Sequence, residues 1–366
     1  MLLRRVISSE TARKDGKHIV DASIIIPAYN RRDRLEGTLR ALEAIDYPQD
    51  AFEVVLVDDG SEDGTGRFFQ QCSYPFQFHC LRHRVNRGRS AARNSGIRKA
   101  RGRIVVFLDD DMQAVPNLLR EHLNYHRNAY RTVVLGNIRY APGIAATALI
   151  RYLDSRGVHK LRAGDPIPFR YFSAGNVSMD REFLIQAGLF DERFRSFGGE
   201  DLELGYRLSR NGARFVFSPS ALAYRFDYRD IPATCRAMEV FGRESLPVLL
   251  QIHPGLGEMF ALHRLGAADH RHEEEPFLLR PPILLSLFWS PWGAVARGMA
   301  RALNHLRAPA VLFDYLILFH IIKGYRQYLR DRSGPAAESG PSGVSGRSTA
   351  SDRIITTDPG AERSLS

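Results

Sequence analysis

Between residues 23 and 224, short apolar runs alternate with segments of helical periodicity, and this alternation restricts the fold more than any other feature. Residues 23–27 (SIIIP), 53–57 (EVVLV), 78–81 and 104–108 (IVVFL) are mostly unbroken runs rich in Val and Ile. Strands buried on both faces read this way, because neither face needs a polar residue. The intervening segments have helical spacing: in residues 34–45, Leu35, Leu39, Leu42 and Ile45 fall on one face. Strand–helix–strand units at this rhythm predict right-handed βαβ crossovers in an α/β fold with a doubly wound, mostly parallel sheet.

Past residue 224 the pattern changes. Residues 228–265 read as helical, punctuated by Pro232, Pro247 and Pro254, and a polar break (HRHEEE) follows at 270–275. Two apolar stretches, 283–296 and 310–322, are each shorter than the roughly 18–20 residues that span a bilayer. Arg297, Arg301, Arg307, Lys323, Arg326 and Arg330 flank them. Two readings of 281–330 stay open: an interfacial membrane anchor with Trp289 and Trp292 at headgroup depth, or ordinary core or oligomer-interface helices. The Ser-, Gly-, Pro- and Ala-rich end is expected to be disordered. The organisation expected is an extension (1–22), an α/β domain (23–228), a mainly helical region (229–332) and a tail (333–366).

Of 366 residues, 44% are apolar and 25% charged, which excludes collagen-like and broadly disordered classes. The formal net charge of +10 points to an anionic partner, whether nucleic acid, a lipid surface or a phosphorylated small molecule. Cys72, Cys80 and Cys235 are few, odd in number and form no C-x-x-C pair, so a reducing cytosol fits better than a disulfide framework or zinc site. Residues 1–18 contain no secretory apolar core, and no signal peptide is expected.

Ligands of open α/β sheets bind beyond the carboxyl ends of the strands, and the polar clusters of this chain fall there. Pro27-Ala28-Tyr29-Asn30 follows the first run, Asp58-Asp59-Gly60-Ser61 the second, and Asp109-Asp110-Asp111 the fourth. Any one alone reads equally as a helix cap; together they read as a site. Three adjacent acids repel one another unless a cation compensates, and hard oxygen ligands suit Mg²⁺ or Mn²⁺. Gly198-Gly199-Glu200-Asp201 precedes an amphipathic stretch, 202–211, and marks a helix start close to a ligand. Gly88 opens another expected helix inside an arginine-rich segment, 82–103, a natural phosphate-facing terminus. No stacking aromatics interleave with those arginines, so a diphosphate fits better than nucleic acid. A G-x-G-x-x-G and a Walker A loop are both absent from the sequence.

In chain order, IIIPAYN, VDDGSEDGT, NRGRSAARNSG, LDDDM, SAGNVSM and GGEDLELGYRL resemble the motifs of family-2 glycosyltransferases of GT-A fold. The likeness covers about residues 23–224. It implies a Rossmann-like nucleotide-binding half and an inverting, metal-dependent transfer of one sugar from a nucleotide sugar, with UDP-sugars favoured. Pro27, Tyr29 and Asn30 match the nucleotide-binding start, and Asp59 the position contacting the base, with Asp58 supporting the loop. Gly88, Arg93 and Asp110 join the expected donor site, and Asn176 matches a position near the donor sugar. Asp109 and Asp111 match the outer acids of the D-x-D signature that anchors Mn²⁺ or Mg²⁺. Asp201 matches the catalytic base, and Glu200 an acceptor-orienting residue. The expected acceptor is a glycan or lipid-linked molecule in cell-surface polysaccharide or glycolipid synthesis, with the protein cytoplasmic or peripheral on the inner face of the plasma membrane.

Two departures stand out. Ala223-Tyr224-Arg225 lies where many GT-A enzymes place a metal-ligating histidine, and the Q-x-x-R-W motif of processive synthases is missing. A single-sugar transferase is therefore expected in preference to a polymerase. The competing readings are nucleotidyl transfer, which lacks a Gly-rich loop after the first strand, and a non-enzymatic basic surface protein.

Overall fold

A computed structural model describes residues 20–127, 129–161, 167–260, 290–304 and 308–333. The expected tail from 334 on, the polar break at 270–275, residues 281–289 with Trp289, and residues 1–19 lie outside the described residues.

The first half follows the expected rhythm: β1 (Ala22–Ala28), α1 (Arg32–Glu43), β2 (Phe52–Asp58), α2 (Thr65–Phe69), β3 (Gln77–Arg82), α3 (Arg89–Lys99) and β4 (Ile104–Leu108). Next come β5 (Met112–Ala114), α4 (Leu118–Asn124), β6 (Thr132–Tyr140), α5 (Ala148–Asp154), β7 (Asn176–Asp180), α6 (Arg181–Gln186), α7 (Glu200–Arg210) and β8 (Arg214–Arg225). The helical region holds α8 (Ile231–Val240), a π-turn (Phe241–Ser245), α9 (Leu246–Ile252), α10 (Ser290–Leu303) and α11 (Ala310–Ser333).

One sheet carries all these strands in the order β3-β2-β1-β4-β7-β6-β8-β5. The β3-β2-β1-β4 half is parallel, as expected, with Ala22 beside both Phe52 and Ile104. Beyond it the sheet is mixed: β7 runs antiparallel to β4 and β6, β8 runs parallel to β6, and β5 is antiparallel to β8. Sequence reading named only β1 to β4 as strands. The later strands escape it because β8 is half exposed and β7 opens on a polar motif, so neither shows a continuous apolar run.

Burial on both faces explains the runs that were legible. Ile24 and Ile26 pack with Leu35, Leu39, Leu42, Val54, Leu56 and Val106 on the α1 side. Ile25 points the other way and joins Val55, Val57, Val105, Phe107, Ala92 and Leu204 on the side of α3 and α7. The chain winds from β1 out to β3, then returns across β1 to β4. The switch point is therefore between the carboxyl ends of β1 and β4, where a crevice forms.

The C-terminal helices pack on this domain through α5, where Leu149 and Tyr152 meet Ile231, Cys235, Phe313 and Leu316. At the crossing of α11 with α8 and the π-turn, a Cβ on Gly242 would strike the Ile321 carbonyl, and one on Gly324 that of Glu239, so the backbones touch directly. Helix α10 buries Ala296 and Ala300 but leaves Trp292, Val295 and Met299 exposed. Among the described residues no helix is long and apolar enough to cross a membrane.

Candidate active site

The three strand-end clusters meet on one cleft of about 820 Å³ above the switch point. Pro27, Ala28, Tyr29, Asp59, Gly88, Asp109, Asp110, Asp111, Asn176 and Asp201 all line it. Tyr29 is 42% exposed, its ring free to receive a planar group.

At the end of β2 both acids are held by their own chain. Asp58 accepts from the Ser61 amide at 3.0 Å and pairs with Arg82 Nε at 3.1 Å. Asp59 sits 2.6 Å from His83 Nδ1 and accepts from the amides of Arg87 (3.0 Å) and Gly88 (2.8 Å). His83 is fixed in turn by Ser95 Oγ at 2.9 Å. Asp59 thus shapes the turn into α3, where Gly88 adopts a φ of 93° that a side chain would strain. Asn30 ties the β1 loop to the β2 loop: its amide donates to Ser61 Oγ, and its Oδ1 accepts from the Glu62 amide.

The end of β4 is arranged differently. Asp109 receives Arg93 Nη2 at 3.1 Å and Arg225 Nη2 at 3.4 Å. Burial alone would raise its pKa, but Arg93, Arg89 and Arg225 outweigh that and hold it below the usual carboxylate range. Asp110 is pushed up to about 7, first by burial and then by its two acidic neighbours. Asp111 is also raised, by burial and by Asp109, against the pull of Arg225. Its Oδ1 is buried with no hydrogen-bond partner.

Helix α7 delivers the third acidic cluster and begins at Glu200. Gly198 and Gly199, at φ 78° and 96°, turn the chain so that Glu200 and Asp201 enter at the helix N-terminus. Asp201 Oδ2 accepts from the Ala174 amide at 3.1 Å, while Oδ1 is buried without a hydrogen bond. Burial in the cleft raises its pKa to about 7; Glu200 and Asp109 add to the shift, and Arg93 opposes it.

Arg93 joins the β4 and α7 acids. Its side chain is 1% exposed, and Nη1 stands 3.3 Å from Glu200 Oε1 and 3.5 Å from Asp201 Oδ1, while Nη2 holds Asp109. Glu200 is buried as well, so both residues stand behind the cleft wall. Asn176 is 2% exposed, its amide donating to the Asn137 and Ala221 carbonyls while its Oδ1 faces His122 Nε2 at 2.8 Å.

Sequence reading did not assign Arg225, His83 or Arg229 to the site. Arg225 arrives because β8 pairs antiparallel with β5, setting it beside Met112, next to the acids. Nothing local to residue 225 reports that pairing.

Residues 23–184 match Glycosyl transferase family 2. YfnE of Bacillus subtilis (strain 168), described as an uncharacterized glycosyltransferase, is 29% identical over 266 residues, 60% of this chain and 67% of that protein. Chondroitin synthase of Pasteurella multocida (strain Pm70) is 32% identical over 241 residues, 56% of this chain but 24% of the synthase. The chain thus matches about two thirds of the first relative's length and about a quarter of the second's. Mannosyltransferase PcManGT of Pyrobaculum calidifontis, solved with GDP-Man and Mn²⁺, shares the fold at TM-score 0.52 and 21% identity, over 85% of this chain and 87% of that one. Residues 23–184 thus resemble glycosyl transferase family 2, and the chain shares the GT-A type of fold.

Proposed function

We propose that the chain inverts configuration while moving one sugar from a nucleotide sugar, a UDP-sugar in preference, to an acceptor hydroxyl in cell-surface polysaccharide or glycolipid synthesis. One observation carries this reading: Asp111, on the same cleft as Asp201, keeps a buried carboxylate oxygen, Oδ1, with neither a hydrogen bond nor an ion pair. Unpaired buried oxygens are costly, and they mark places where a ligand completes the structure. PcManGT, with its GDP-Man and Mn²⁺, is consistent with a nucleotide-sugar donor and a divalent cation.

The residues fit Mn²⁺ or Mg²⁺ with few protein ligands. Among the described residues no three His, Cys, Asp or Glu side chains form a metal cage. The cation would rest on Asp111 Oδ1, with Asp109 alongside and donor phosphates and water as the other ligands. When bound it supplies Lewis-acid stabilisation of the departing diphosphate. Asp201 takes the proton from the acceptor hydroxyl as that oxygen attacks the anomeric carbon. Attack opposite the leaving group inverts the centre and needs no covalent intermediate. Glu200 and Arg93 position Asp201 from behind the wall. Tyr29, Pro27 and Asp59 border the base subsite, Asn30 fixes the loop beneath it, and Gly88 faces the diphosphate with Asp110. Asn176 braces the cleft floor near the sugar.

A thermal-shift panel of UDP- and GDP-sugars with and without Mn²⁺, on the wild type and on Asp111→Asn, tests this. One donor stabilising the wild type only with Mn²⁺, and not the variant, is the expected result. A cooperative melt that no donor moves would overturn it. For the acceptor we propose a lipid-linked molecule met at a membrane surface by 281–330, where Trp292, Val295 and Met299 are exposed. Cosedimentation with anionic liposomes supports that placement, and a protein left in the supernatant refutes it.

A further inference from the structure

Arg225 has one guanidinium on two acids of the same signature. Its Nη2 stands 3.4 Å from Asp109 Oδ2 and its Nε 3.6 Å from Asp111 Oδ2, and the side chain is 30% exposed. The Nε is buried and makes no hydrogen bond, so the pairing with Asp111 is electrostatic. Arg93 grips Asp109 from the opposite, buried side and is itself fixed by Glu200 and Asp201. Of the two arginines, only Arg225 can move without dismantling the wall. More positive charge lies around it: Arg31, Arg89 and Arg229 also line the cleft. Arg229, stacked on Phe197 at 4.6 Å, has its pKa lowered by burial and by Arg89, Arg225 and Arg31. Cations this crowded are relieved when an anion enters.

We infer that Arg225 is the resident counter-ion of Asp109 and Asp111, and that it exchanges with the divalent cation by moving onto the donor diphosphate. The inference rests on the cation site proposed above. A divalent ion on Asp111 Oδ1 would stand beside the guanidinium held at Oδ2 of the same carboxylate, and like charges at that separation repel. Metal alone must displace Arg225 with nowhere to send it, so it binds weakly. A nucleoside diphosphate accepts Arg225 and frees the carboxylates. Metal and diphosphate therefore strengthen each other's binding by the same factor, as linkage requires.

The test measures Mn²⁺ binding by titration calorimetry, with free Mn²⁺ followed by paramagnetic resonance, with and without UDP. The proteins are the wild type, Arg225→Gln, Arg225→His and Asp111→Asn, each checked for an unchanged melt. In the wild type UDP should tighten Mn²⁺ binding at least about tenfold. Arg225→Gln should bind Mn²⁺ alone about tenfold more tightly than the wild type, and UDP in EDTA more weakly. Arg225→His, which replaces a competitor with a neutral ligand, should show the tightest Mn²⁺ binding of the set. If Asp111→Asn abolishes Mn²⁺ binding while both Arg225 variants match or fall below the wild type, the exchange is overturned and the cation site stands. If Asp111→Asn binds Mn²⁺ as the wild type does, the cation site itself falls and the exchange goes with it.

Discussion

Two strands of the same sheet end in adjacent acids, and the structure uses the two ends in opposite ways. At the end of β2, Asp59 is 3% exposed, and both its oxygens are taken up by His83 and two backbone amides. At the end of β4, Asp111 keeps a buried oxygen with no partner, and Asp109 faces a movable arginine. One acid pair holds a loop in shape, with the buried Asp58 Oδ2 that lacks a hydrogen bond met by Arg82; the other is incomplete until something binds. Strand-end carboxylates are thus not one class, and what separates them is whether backbone amides can reach them.

Catalysis should separate the two ends most strongly. Asp201, coupled to the β4 acids through Arg93, is expected to lose about 10²–10⁴-fold in turnover as Asp201→Asn, with its melting temperature unchanged. Steady-state rates beside a melt of the same sample check this. An inactive variant that also melts early would assign Asp201 to the scaffold instead.

Stability should separate them next, in the opposite sense. Asp59→Ala strands His83 and two amides in a buried turn, at a cost of about 3 kcal/mol by denaturant titration. Asp111→Asn removes no backbone hydrogen bond and relieves repulsion with Asp109, so its midpoint should stay within about 0.5 kcal/mol of the wild type.

The pH profile sharpens the contrast further. Asp201 must be ionised to accept a proton, and burial raises its pKa to about 7. Activity should therefore fall as pH drops through about 7, approaching tenfold per pH unit below it, while the melting temperature rises over the same interval, because Asp201 and Asp110 take up protons in the folded state before the unfolded chain does. A kcat/KM profile level from pH 6 to 8 contradicts this assignment. Arg82 belongs with the structural end: Arg82→Ala leaves the fully buried Asp58 carboxylate without its counter-ion and should cost about 2–3 kcal/mol by denaturant titration.

What was legible in the sequence follows the same division between local and distant causes. The parallel half could be read because Ile24, Ile25 and Ile26 are all buried, leaving an unbroken apolar run. The clusters at Asp58, Asp109 and Glu200 could be placed because each follows a strand run or opens a helix. Which acid is saturated could not be read, because the amides that claim Asp59 belong to residues 87 and 88, past a whole strand. The partners of Arg93 and Arg225 were out of reach for the same reason: Glu200 is 107 residues from the first, and Asp109 is 116 from the second. Arg93 was named as a donor contact on resemblance, yet its side chain lies behind the cleft wall, at 1% exposure. The exposed stripe on α10 carries only Trp292, Val295 and Met299 among larger apolar groups, which is why 281–330 read equally well as core or as interface.

The most direct test of the account places Asp59→Ala and Asp111→Asn side by side, each assayed for its unfolding midpoint and for Mn²⁺-dependent UDP binding by calorimetry. The account predicts a crossing: Asp59→Ala melts several degrees lower, at roughly 2–4 °C per kcal/mol, while Asp111→Asn keeps its melt and loses the metal-dependent binding. An Asp111→Asn that melts early, or that binds UDP with Mn²⁺ as the wild type does, would contradict the division of labour between the two strand ends.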